Sequence, residues 1–330
     1  MLKLALPPPE EEEQVEEEVK KDIPPYGTNE WIHYWSELEG DLPSPIDVSI
    51  TGSLKYSCPD LIWYNFDVYP HKVKLTNTGY TGAKWRTERP YLEGGPFLEK
   101  HVFSQIHFHW GKNMMEGSDH SVDKRKYPGE MQATFFRSEY MTQEEALRHP
   151  DGVVVICFII KYSVNPDNRL QWVIEGFPRI REAQTNTRIG PYPMSRLIPM
   201  FFEDYFLYWG SLTSVKGDSY VVRWMVPRAT LYASYEQMKE FRKLWNPWDE
   251  PNTGNFRPLQ EKRTRHLFFI SPRWSQYNSL LPIPRIPEPS ISILSPAYLA
   301  NPWMLPAKNA YMLIDSQPNA NGNEEKSNNK

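Results

Sequence analysis

Two histidines stand two residues apart, His107 and His109, in the segment Gln105-Ile106-His107-Phe108-His109-Trp110-Gly111. On a β-strand that spacing sends both imidazoles to one face and Phe108 to the other. Two imidazoles projecting together are a natural start for a zinc site, which takes nitrogen donors at about 2.0–2.1 Å. By itself the pair is a weak signal, because two histidines so spaced are more often surface residues. Three further blocks carry polar side chains of the types that build such sites. They are Gly117-Ser118-Asp119-His120-Ser121-Val122-Asp123, Tyr127-Pro128-Gly129-Glu130-Met131-Gln132, and Tyr208-Trp209-Gly210-Ser211-Leu212-Thr213-Ser214.

The elements that must position these residues read mainly as strands. Residues 61–68 are rich in aromatic and branched side chains, 103–110 alternate, and 130–140, 152–162 and 219–227 also read as extended. Helical patterns are few, with 142–148 and 234–244 the clearest. The second opens Ser234-Tyr235-Glu236-Gln237, a capping-box pattern. The fold class this implies is mixed α/β and β-dominated. Aromatic residues at 14% and 31 prolines agree with a sheet-rich domain carrying long ordered loops.

Composition divides the 330 residues into three. Residues 1–22 are Pro-rich and then acidic, with Glu10–Glu13 and Glu16–Glu18, and are expected to be a disordered tail. Residues 23–270 carry the strand patterns and form the globular domain. Residues 271–330 have a proline every few positions, which forbids long regular elements, yet keep apolar groups such as Trp274, Trp303 and Leu305. That extension reads either as an arm strapped onto the domain or as a partner-binding peptide. A net charge of −4 offers no basic face for nucleic acid. No apolar run approaches the ~18 residues of a membrane span, and the first six residues are too short for a secretory core, so the expected location is cytoplasmic. The two cysteines suit a reducing compartment, with Cys157 read as a buried thiol; a disulfide to Cys58 stays open. No apolar seam suggests an oligomer, so a monomer is expected.

Taken together, the blocks resemble the α-class carbonic anhydrases from about Tyr26 to Ile270. Pro43-Ser44-Pro45-Ile46-Asp47 resembles the family's QSP-(I/V)-(D/N) segment. Asn77-Thr78-Gly79-Tyr80 resembles its N-x-G-H turn, Leu92-Glu93-Gly94-Gly95-Pro96 its GGP turn, and Asn255-Phe256-Arg257-Pro258 a further landmark. The resemblance implies a large, twisted, mostly antiparallel central sheet with short peripheral helices. In the family, zinc held by three histidines lowers the pKa of a bound water to about 7, an established property of carbonic anhydrases themselves, and the resulting hydroxide attacks CO2.

Carried over residue by residue, His107 and His109 match the first two zinc ligands. Gln132 stands where the third histidine belongs. Its neutral amide oxygen is a weaker zinc donor than imidazole, and its cost to zinc affinity should exceed the ~10–100-fold of an outer-shell loss. Thr213 matches the threonine that orients the zinc hydroxide, and Asp119 replaces its glutamate partner, one methylene shorter. Glu130 matches the carboxylate that orients the third histidine; with Gln132 there, it is expected to accept from the amide NH2. Gln105 matches a residue bonded to the first ligand, and His120 matches a structural histidine, read here as a satisfied core imidazole. Tyr80 occupies the proton-shuttle position, where a phenol with a pKa near ~10 relays protons poorly. Val155, Leu212 and Trp224 match apolar pocket positions, Thr134 replaces an aliphatic one, and the wall after Ser214 carries Lys216 and Asp218.

Two readings of function follow. The first is a carbonic anhydrase-related protein with little or no CO2 hydration activity, its zinc weak or absent, acting as a binding or scaffold module through its acidic N-terminal or Pro-rich C-terminal tail. The second is a zinc-dependent carbonic anhydrase with the unusual ligand set His107, His109 and Gln132.

Overall fold

The computed structural model describes residues 42–271, apart from 57, 78–79, 85–88, 214–218 and 264. The expectations for the two tails and for the wall from Ser214 to Asp218 lie outside the described residues.

The strands in chain order are β1 (Asp47–Val48), β2 (Leu54–Tyr56), β3 (Leu61–Tyr64), β4 (Lys72–Thr76), β5 (Tyr80–Lys84), β6 (Tyr91–Gly94), β7 (His101–Trp110) and β8 (Ser121–Val122). They continue as β9 (Gly129–Arg137), β10 (Val153–Tyr162), β11 (Asn186–Ile189), β12 (Tyr205–Thr213), β13 (Ser219–Pro227), β14 (Leu231–Ala233) and β15 (Phe268–Ile270). All but β1 and β8 join one sheet of order β11-β4-β5-β7-β9-β10-β13-β12-β15-β2, with β14 beside β10 and β3 reaching β7 through β6. Antiparallel neighbours predominate. The pairs β10–β13, β10–β14 and β15–β2 are parallel, so the sheet is mixed.

Each central strand serves two layers. On β10, Val154, Ile156, Phe158 and Ile160 enter the larger apolar cluster, while Val153, Val155, Cys157 and Ile159 enter a second one on the opposite face. The second cluster also takes Phe206 and Tyr208 from β12 and Val222, Trp224 and Val226 from β13. Near-continuous apolar runs are what a strand buried on both faces requires. β7 changes phase along its length. Phe103 pairs with Phe135 and Gln105 with Thr134, so Ser104 is an extra residue, a β-bulge. Before it the odd-numbered Phe103 faces the larger cluster; after it the even-numbered Ile106, Phe108 and Trp110 do. His107 and His109 are thereby turned to the opposite face.

Among the described residues, three short α-helices flank the sheet: α1 (Gln143–Ala146), α2 (Asn168–Ile174) and α3 (Tyr235–Phe241). The Thr142 hydroxyl caps α1 by accepting from the Glu145 N–H. In α3 the capping box is present, with Ser234 and Gln237 bonding each other's backbone N–H. The sequence reading missed α2, whose Leu170, Val173 and Ile174 are buried and whose start is capped by Asp167. Two strand readings ran too long. The first ends at Tyr64 because Asn65 takes a positive φ of 62°. That starting near 130 gives way to a 3₁₀ turn at Ser138–Tyr140.

Candidate metal centre

The site lies on the face of the second cluster, where β7 and β9 are adjacent. His107 pairs directly with Gln132, and His109 with Glu130. Gln132, Glu130 and Thr134 share that face because they alternate with Met131, Ala133 and Phe135, which enter the larger core. The end of β7 is held by Asn255. Its Oδ1 accepts from the Trp110 N–H (2.8 Å), and its Nδ2 donates to the Phe108 carbonyl (2.9 Å).

Gln132 is 5% exposed, and its amide is committed. Nε2 donates to Asp119 Oδ2 at 3.0 Å and to Glu130 Oε1 at 2.9 Å. Two flanking carboxylates accept and cannot donate, so the amide orientation follows from the chemistry of its neighbours. The expectation that Glu130 accepts from the Gln132 NH2 is met, and Asp119 accepts from it as well. Asp119 Oδ1 further accepts from the Arg257 backbone N–H (2.8 Å). It also lies 3.0 Å from His109 Nδ1. That contact is out of line for a hydrogen bond and acts as a charge contact.

Beneath the amide sits a buried polar cluster. His120 has no exposed side-chain surface, and its Nδ1 meets Glu130 Oε1 at 3.0 Å while its Nε2 meets the Tyr208 hydroxyl at 2.7 Å. Its backbone N–H donates to Glu130 Oε2 at 2.8 Å. His120 is thus the satisfied core imidazole expected of it. Burial alone would raise the Glu130 pKa, but the His120 side chain and these hydrogen bonds, with that from Gln132, bring it down to about 2. The sequence reading took Cys157 only as a buried thiol. It opposes Gln132 on β10, and burial, then the Glu130 charge, push its pKa well above the ordinary thiol range. No disulfide joins it to Cys58, and both cysteines are buried.

The two imidazoles differ in charge preference. Burial, with the charge of His109 adding to it, lowers His107 to about 3. Burial works against protonation of His109 too, but Asp119, Glu130 and the Asn255 backbone lift it above its ordinary value. Other residues singled out from the sequence fall around this core. Tyr80 pairs with His107 across β5 and β7, and Gln105 with Gly82 and Thr134. Val155, Thr134 and Trp224 are buried, and Leu212 packs against the second cluster. Thr213 ends β12 opposite Ser219. The side chains of Thr213 and Tyr80 lie outside the described residues, so the Thr213–Asp119 relay does too.

The donors do not match a three-imidazole zinc centre. His107 and His109 offer nitrogens, but the third position presents an amide whose NH2 group is fastened to two carboxylates, leaving at most one neutral oxygen. His120, Glu130 and Cys157 also bring ligand-type atoms within 4.8 Å of one another. Both His120 nitrogens and both Glu130 oxygens are engaged in hydrogen bonds, so this trio holds the sheet's underside together rather than presenting free donors.

A β-dominated mixed sheet with two histidines on one strand and a carboxylate-lined neighbour defines a carbonic anhydrase-like class of protein. A sequence profile of the eukaryotic-type carbonic anhydrases matches residues 26–271, and the chain belongs to that family. Among its relatives, carbonic anhydrase 1 of Monodelphis domestica is 32% identical over 223 residues, covering 66% of this chain and 83% of that protein. Carbonic anhydrase 3 of Sus scrofa is 28% identical over 247 residues (72% and 93%). Carbonic anhydrase 5A, mitochondrial, of Rattus norvegicus is 30% identical over 246 residues (72% and 79%).

Proposed function

We propose that this chain is a carbonic anhydrase-related protein with little or no CO2 hydration activity, working as a binding or scaffold module in the cytoplasm. The observation that carries the reading is the clamp on Gln132, whose amide nitrogen is shared between Asp119 and Glu130. The clamp uses the two carboxylates that the family resemblance assigns to orienting the reactive site. With them engaged by an amide, the third metal position has no imidazole, and Asp119 is tied to Gln132, Arg257 and His109. No transmembrane-length apolar helix occurs among the described residues.

The test is stopped-flow CO2 hydration, with metal content by elemental analysis, on zinc-equilibrated parent protein and on Gln132→His. The parent should hydrate CO2 at the buffer rate and hold zinc below one equivalent, and Gln132→His should raise the zinc content. Hydration above the buffer rate with one zinc bound to the parent would overturn the proposal. It would establish the alternative reading, a zinc enzyme using His107, His109 and Gln132.

A further inference from the structure

On the same face of the sheet, beyond Glu130, a cavity of about 260 Å³ opens between the ends of β10, β12, β13 and β15. Its walls are mainly apolar, including Ile50, Val122, Ile159, Phe206, Val226 and Phe269. One polar group in it is incompletely satisfied. Asp204 is 1% exposed, and its Oδ1 accepts from the Ser271 hydroxyl at 2.8 Å. Its Oδ2 is buried without a hydrogen bond, and the nearest cation, Arg228 Nε, stands 3.9 Å away, too far for one. A buried acceptor left without a donor is costly, so the cavity calls for an apolar body bearing one N–H or O–H.

We infer that this cavity receives Trp274, the indole ring against the apolar walls and its N–H donated to Asp204 Oδ2. The following observations commit it to that occupant. The volume is below the ~300–1,000 Å³ of small-molecule sites and suits a single large side chain. The described chain ends at Ser271, which is itself bonded to Asp204 at the cavity edge. The Ser271 backbone N–H donates to the Tyr56 carbonyl at 3.0 Å, and Pro272 has no N–H with which to extend that ladder. Trp274 lies three residues beyond Ser271, a span of up to about 10 Å, within reach of the opening. Indole is also the side chain that pairs a large apolar surface with a single donor and no acceptor. Leu42, the first described residue, accepts at its carbonyl from the Ser211 N–H near the opposite end of β12. The C-terminal extension is therefore strapped to the domain at its first turn, leaving residues beyond it to reach outward.

Limited trypsin digestion of the full chain tests this with an internal control. Pro272-Arg273-Trp274 and Pro284-Arg285-Ile286 present the same Pro-Arg cleavage context, one beside the cavity and one well beyond it. Cleavage after Arg273 should be at least about tenfold slower than after Arg285, because a docked segment must open before it is cut. Trp274→Ala should bring the two rates together. Trp274→Phe, which keeps a ring but loses the donor, should fall between them. Equal rates in the parent, or protection at Arg273 that survives Trp274→Ala, would overturn the inference; the latter would assign the protection to the nearness of the domain alone. None of these outcomes depends on whether the metal centre is active.

Discussion

Replacing Gln132 by Met keeps the length and apolar stem of the side chain and removes the amide. Two donors are lost to buried carboxylates, one at 3.0 Å to Asp119 and one at 2.9 Å to Glu130. Hydrogen bonds to charged groups contribute about 1.5–3 kcal/mol each, so the pair sets an upper range of about 3–6 kcal/mol. Each carboxylate keeps other partners: Asp119 retains the Arg257 N–H, and Glu130 retains both bonds from His120. The expected destabilisation therefore falls at the low end, about 3 kcal/mol. For a domain of this size that corresponds to a Tm lower by about 6–12 °C. Calorimetry and urea unfolding at neutral pH, in the presence of a chelator so that metal does not contribute, would measure it. A loss below about 1 kcal/mol would refute the reasoning, because the carboxylates would then be satisfied without the amide.

Two further outcomes are expected elsewhere in the domain. His101 is buried with Nδ1 on the Glu99 carbonyl (2.8 Å) and Nε2 accepting from Arg223 Nη2 (2.9 Å), and burial, then the Arg223 charge, hold its pKa well below 6.5. The unfolded chain therefore binds a proton that the folded state refuses, so stability is full above about pH 6.5 and declines as pH falls below it. The urea midpoint of His101→Gln should drop less between about pH 7.5 and 5.5 than that of the parent, and an equal drop would exclude His101 as a contributor. Gly111→Ala should cost about 2 kcal/mol or more in urea unfolding. A Cβ there would lie 2.0 Å from the Glu116 carbonyl oxygen, within the loop that leads to Asp119.

Much of the site was legible because its chemistry follows strand parity. His107 and His109 share a face on β7, and Glu130 and Gln132 share one on β9, by the same two-residue period. The capping box at Ser234 is local and was read correctly. What was not legible depends on packing between distant segments. Asp119 is drawn to Gln132 and to the Arg257 backbone 138 residues away, and no local pattern encodes that meeting. Cys157 joins the Glu130 neighbourhood only because β10 pairs with β9 in one particular register. Helix α2 was missed because seven residues leave too short a trace of helical periodicity.

The extra residue at Ser104 divides β7 into two reading frames. Its first half presents odd positions to the larger core, and its second half presents even ones. Because β9 steps only from Phe135 to Thr134 while β7 steps from Phe103 to Gln105, deleting Ser104 would give a uniform alternation with the pairing on either side unchanged. Ile106 and Phe108 would stay in the larger core, and both histidines would keep their place on the opposite face. The tolerance of this position is therefore a matter of counting rather than chemistry: the strand carries one residue more here than its partner needs. That residue is slack in the strand, and the loss of one residue there can be absorbed without turning the histidines into the interior.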